Sequence, residues 1–210
     1  MLVQIEGTDN AGKTTMARKV VETLKEKKID AALMQFPRRD TKIGNLIDEM
    51  LKFSKFKWND AVVFQLLQTA NRMEFYEYLK EWHDNKYGVL VLDRYSLSSI
   101  VYGKLDGFPY DLLIDLQLLL PIPQVTIIVT ADRKSLERRL KEKEEHEIYE
   151  NMARMLNIQE AYLKVIEDLK AVVAKKLNLQ IKYFVVDNSD NQFEKAHDNI
   201  IQIILDNLNT

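Results

Sequence analysis

Five short, mostly apolar runs punctuate the chain, at residues 2–6, 31–35, 89–92, 124–130 and 181–186. Runs of this length without strict alternation suit strands buried on both faces, as in a parallel sheet. Between them apolar residues recur three and four apart, the spacing of one helix face. Ala17, Val20, Val21 and Leu24 predict a helix over 13–28, and Ile43, Leu46, Ile47, Met50 and Leu51 a second. Val63, Leu66, Leu67, Ala70, Met73 and Tyr76 predict one long helix over 59–85. Further helices are expected at 96–102, 109–120, 133–140, 151–177 and 193–208, with Asp132 as a cap and 103–107 as a loop. Strand and helix alternate throughout, which predicts an α/β fold: a five-stranded parallel sheet flanked by helices in three layers, residues 1–210 forming one domain.

The polar residues between the first strand and first helix change the picture. Gly7-Thr8-Asp9-Asn10-Ala11-Gly12-Lys13-Thr14-Thr15 fits GxxxxGK(S/T), the phosphate-binding P-loop, in the strand–loop–helix context that motif requires. Gly7 and Gly12 allow backbone conformations that a β-carbon would block. The N–H groups of the loop, from Asn10, Ala11, Gly12 and Thr15 among others, then form an anion nest at a helix N-terminus. Lys13 is placed to reach the β- and γ-phosphates, and the Thr14 hydroxyl to ligate Mg2+. Asp93, closing the apolar run 89–92, reads as the Walker B aspartate or as a helix N-cap; one carboxylate can do both. Arg38 and Arg39, just past a strand's carboxyl end, are either a solvated basic turn or an anion site on the ligand-binding rim.

Composition mainly excludes. Thirty Lys and Arg against 32 Asp and Glu leave a net charge of −2, so nothing argues for nucleic acid or an anionic membrane. The chain has no cysteine, which removes disulfides and thiolate metal sites and suits a reducing cytoplasm. No apolar run reaches membrane-spanning length, and no secretory leader is expected. The most charged stretch, 138–149 (RRLKEKEEHEIY), reads as a solvated helix face or as a short lid whose arginines close over phosphates. His146 has no second histidine or cysteine at ligand spacing.

The set GTDNAGKT (7–14), FPRR (36–39), TANRMEF (69–75), DRY (93–95) and HEIYEN (146–151) resembles thymidylate kinase over about the first 160 residues; the last fifty or so are similar in pattern only. The resemblance implies transfer of the ATP γ-phosphoryl group to dTMP with Mg2+, in a homodimer. It implies that Asp9 contacts the acceptor sugar and that Arg39 holds the dTMP phosphate. Phe36 would pack on the nucleoside, Arg72 would meet thymine O4, Tyr102 would crowd C2′, and Tyr149 would contact the acceptor nucleoside. Arg94 would bridge donor and acceptor phosphates, and Arg139, with Arg138 beside it, would serve the ATP side. Asn10 stands where some members carry an arginine, which leaves Arg138, Arg139, Lys141 and Lys143 as candidates for the missing cation. Gln68 stands where a phenylalanine stacks on thymine, which predicts weaker base selection extending to dUMP. Two alternatives remain: a kinase for another nucleoside monophosphate, and a P-loop switch that transfers nothing. The chain lacks the NKxD guanine-reading motif of such a switch.

Overall fold

A computed structural model describes residues 1–53, 58–85, 88–142 and 151–208. The strands are β1 (Leu2–Glu6), β2 (Asp30–Gln35), β3 (Gly88–Asp93), β4 (Val125–Thr130) and β5 (Lys182–Asp187). The helices are α1 (Lys13–Glu26), α2 (Lys42–Phe53), α3 (Trp58–Met73), α4 (Tyr76–Asp84), α5 (Ser96–Leu105), α6 (Tyr110–Gln117), α7 (Arg133–Lys141), α8 (Met152–Leu177) and α9 (Phe193–Leu208). Every strand pairing is parallel, in the order β2-β3-β1-β4-β5. The sheet is the α/β arrangement expected from the apolar runs.

Alternate residues of the inner strands face opposite layers. Val3, Ile5, Val89, Val91, Ile127 and Val129 pack with α1 and α9. Leu2, Leu90 and Leu92 pack with Leu79 of α4, while Ile128 joins α5 and α8. Each such aliphatic side chain contributes about 1.5–3 kcal/mol of burial, so the centre of the sheet is a rigid platform. β1 lies in the middle, and the chain leaves it towards β2 on one side and later crosses to β4 on the other. The carboxyl end of β1 is therefore the switch point at which open α/β sheets bind ligands.

Three helix expectations change. The helix expected over 59–85 is two helices, broken at Glu74 and Phe75. Phe75 N donates to Arg72 O, a tightened last turn, and the Phe75 ring packs edge-on against Phe36 at 6.2 Å. An apolar residue at helical spacing hides that break, because its contact is tertiary. Helix α5 continues to Leu105 through Gly103, where a β-carbon would lie 2.7 Å from Leu113 Cδ2; this glycine serves a helix–helix contact instead of a turn. Helix α6 stops at Gln117, followed by a turn in which Leu120 N donates to Gln117 O.

Caps fall where polar residues permit them. Asp132 Oδ1 accepts from Ser135 N at 2.7 Å, and Asn151 Oδ1 from Arg154 N at 2.9 Å. Among the described residues no helix is long and apolar enough to cross a membrane. Most of the stretch expected to form a lid, including Lys143, His146 and Tyr149, lies outside the described residues.

Candidate active site

The P-loop follows β1 directly. Gly7 has φ 140°, and a β-carbon there would lie 2.2 Å from the Val129 carbonyl oxygen of β4. Gly12 has φ 89° and packs against the Asn188 side chain. Asn188, just past β5, donates Nδ2 to Ala11 O at 2.8 Å and so ties the far side of the sheet to the loop. Arg139 of α7 donates to Asn10 O at 3.2 Å and to Asn188 O at 2.6 Å, bracing the loop from outside. Arg138 is placed differently: Asp190 and Glu142 engage its guanidinium on the surface, and it does not line the cavity described below. Acidic neighbours within reach on its own helix and beyond β5 explain why its fork turns there.

Lys13 is buried and donates Nζ to Thr8 O at 2.6 Å. Burial, helped by the nearby Arg94 charge, pushes its pKa down to about 8. The folded value is below the unfolded one of 10.5, so the unfolded chain binds more protons between those pH values. Stability of the ligand-free protein is therefore expected to rise as pH climbs from about 8 towards 10.5. A triphosphate beside Nζ reverses the pressure on the proton. ATP binding at pH 8.5–9 is expected to take up a fraction of a proton, approaching about one, whereas binding at pH 6.5 takes up almost none at this group. Calorimetric titration in buffers of different ionisation enthalpy reads this; equal uptake at both pH values would rule it out.

Thr14 Oγ1 donates to Asp93 Oδ2 at 2.6 Å. The N-cap alternative for Asp93 is answered by Glu6, whose buried carboxylate takes the N–H groups of Tyr95 and Ser98 at the start of α5. Asp93 and Thr14 present two hard oxygens beside the loop, a donor set suited to Mg2+ that completes its shell with water and phosphate. Among the described residues no cluster of three or more His, Cys, Asp or Glu offers another metal site.

Arg94 has φ 64°, a left-handed conformation costly for a side chain of its size. Its guanidinium pairs closely with Asp9 and donates to Gly7 O at 3.3 Å, directly under the P-loop. Tyr102 donates to Asp9 Oδ2 at 3.2 Å, with the Arg94 guanidinium 5.5 Å over its ring. Arg72 is the largest fully buried side chain, although an arginine inside a helix is ordinarily at the surface. It donates to Gln68 O at 2.9 Å, Ser99 Oγ at 2.8 Å and Tyr95 O at 2.8 Å, and lies against the rings of Phe36 and Tyr95. Burial lowers its pKa to about 10, leaving it a cation at neutral pH. Arg39 pairs with Asp48 at 2.9 Å and is half exposed. Asn71 holds the loop that carries Arg39, accepting from Arg38 N at 2.7 Å and donating to Thr41 Oγ1 at 3.0 Å.

These groups share one cavity of about 710 Å³. Its wall is shared by Lys13, Thr14 and Thr15 of the P-loop and by Phe36, Arg39, Gln68 and Arg72, with Asp9, Arg94 and Tyr102 also on it. Gly7, Ala11, Asp93 and Arg139 stand behind the wall, and Tyr149 lies outside the described residues. Glu6, Tyr162 and Asn188 went unnoticed in the sequence. Glu6 alone left a trace there, a carboxylate closing an otherwise nearly apolar strand.

The thymidylate kinase family profile matches residues 5–187. The chain belongs to the thymidylate kinase family. It is a dTMP kinase, and a switch without transfer is not favoured. Its fold is similar to that of thymidylate kinase from Candida albicans, with TM-score 0.69 and 25% identity over 99% of this chain and 92% of that one. It is also similar to thymidylate kinase from Ehrlichia chaffeensis, with TM-score 0.66 and 18% identity over 97% and 98% of the two chains.

Proposed function

We propose that this thymidylate kinase binds ATP at the P-loop end of the cavity and dTMP at the end lined by Arg39 and Arg72, with Arg94 between the two phosphate groups. The observation that carries this reading is that Lys13, Arg72 and Arg94 all line one cavity. Two polyanions brought together need fixed cations, and phosphoryl transfer asks a protein mainly for position and charge. Lys13 and Arg94 are already oriented by Thr8 O, Asp9 and Gly7 O, so little reorganisation accompanies transfer. Thr14 and Asp93 would hold Mg2+, which when bound neutralises phosphate charge. Arg72 Nε is buried with no partner among the described residues, a donor that a base carbonyl would satisfy. Arg139 would support the ATP side through the P-loop backbone.

Gln68 lines the acceptor end in place of an aromatic ring. A carboxamide cannot reproduce ring stacking, so base selection is expected to relax, with dUMP turned over at more than a hundredth of the dTMP efficiency. Broad substrate specificity is already a property of the Candida albicans enzyme. ADP release measured across all nucleoside monophosphates, with ATP and Mg2+, tests both points. No release with dTMP would overturn the acceptor assignment; release with dTMP alone would overturn only the relaxed selection.

We further propose a homodimer through α2 and α3. Leu46 of α2 and Val63 and Leu66 of α3, two helices in contact, are each nearly half exposed, apolar side chains of the kind subunit contacts cover. Sedimentation equilibrium at micromolar concentration checks this, and a monomer mass would remove it. A cytoplasmic site of action completes the reading; recovery of the chain in a membrane fraction would contradict it.

A further inference from the structure

Glu6 takes no part in the reaction as described, yet it is fully buried at the end of β1 beneath the site. Its Oε1 accepts from Tyr95 N at 2.8 Å and Ser98 N at 3.2 Å. These are the N-cap and third-residue amides of α5, and Tyr95 has no side-chain cap of its own. Glu6 thus caps α5 from another element. Its Oε2 accepts from Ser98 Oγ at 2.5 Å and from Tyr162 OH at 3.2 Å. The same two hydroxyls lie 3.3 and 3.4 Å from Arg94 Nη1, which donates to them.

Proton counting gives this arrangement a direction. An ionised carboxylate only accepts, so it takes the Ser98 proton at 2.5 Å, and the single Tyr162 proton goes to Oε2 at 3.2 Å or to Ser98 Oγ at 2.8 Å. The hydroxyl lone pairs are then left facing the Arg94 guanidinium. A donor at the Oε2 position would turn a hydroxyl proton towards that cation instead. Arg94 itself sits in a left-handed conformation that surrounding contacts must hold.

We propose that Glu6 is a positioning residue for Arg94. It polarises the Ser98 and Tyr162 hydroxyls so that they accept from Arg94, and it fixes the α5 N-terminus from which Ser98 projects. This rests on the reading of Arg94 as the cation between donor and acceptor phosphates.

The test is a double-mutant cycle in the full-length protein, with Glu6→Gln and Arg94→Met assayed by ADP release from ATP and dTMP. Glutamine keeps the size of the side chain and the acceptor for the α5 amides but places a donor at Oε2. Glu6→Gln is expected to lower kcat between about 10- and 100-fold, the range for losing a charged hydrogen bond, with both KM values within about threefold. In the Arg94→Met background the same change should alter kcat less than about twofold, because its target is gone. Equal losses in both backgrounds, or no loss in the parent, would overturn the proposal. If Arg94→Met alone keeps the parental kcat, the reading of Arg94 fails and this inference with it. Should Glu6→Gln not fold, Ser98→Ala run through the same cycle gives the same pair of answers.

Discussion

Arg94→Met is expected to lower kcat for dTMP phosphorylation by about 10³-fold, the scale on which a transition-state arginine acts in phosphoryl transfer. KM for either substrate should move much less, because charge on the transferring group is greatest in the transition state. The structure supplies the reason for so large an effect. Arg94 is held by Asp9, Gly7 O, Ser98 and Tyr162, in a backbone conformation that few residues tolerate. Methionine matches its length but neither charge nor fork. Arg94→Lys should recover only part of the rate, since a point charge cannot grip phosphate in two places. Steady-state kinetics with both variants decides the matter; a loss below tenfold for methionine would mean that transfer is served by another cation.

The second large effect is structural. Gly7→Ala places a β-carbon 2.2 Å from the Val129 carbonyl oxygen, at φ 140°. Neither partner can give way, because the carbonyl belongs to a central strand. A cost of about 3–4 kcal/mol is reasonable for a clash combined with forbidden backbone. For a domain of this size that lowers the melting temperature by roughly 10 °C, and displacement of the loop should abolish measurable ATP binding. Gly12→Ala is the control. At φ 89° it is strained too, and its β-carbon would push the Asn188 amide off Ala11 O, but a side chain yields more readily than a strand carbonyl, so the penalty should be smaller. Melting curves within about 2 °C of the parent for Gly7→Ala would show that the strand end yields after all.

Helix α3 marks the border between what pattern reveals and what it hides. Its apolar stripe reads as a buried face, yet Val63, Leu66 and Met73 on that stripe are more than 40% exposed. The interior face carries Gln65, Gln68, Thr69 and Arg72, all buried, and Gln65, Gln68 and Arg72 line the cavity. A helix lining a polar site inverts the usual rule that apolar residues point inward, and periodicity has no means of reporting which face meets a ligand.

The residues along the chain determined by themselves the five parallel strands, the alternation with helices and the nature of the phosphate loop, since these depend on local spacing and on short motifs whose chemistry is backbone-borne. They also marked Asp93, Arg39, Arg72 and Arg94 as candidates. Tertiary structure alone decided that Arg72 is buried, that Arg138 turns to Asp190, and that Glu6, Ser98 and Tyr162 converge on Arg94. Ser98 and Tyr162 stand 64 residues apart and Glu6 and Tyr162 stand 156 apart. A buried hydrogen-bond network draws on whichever elements the sheet order makes neighbours, and no local rule of spacing can anticipate that.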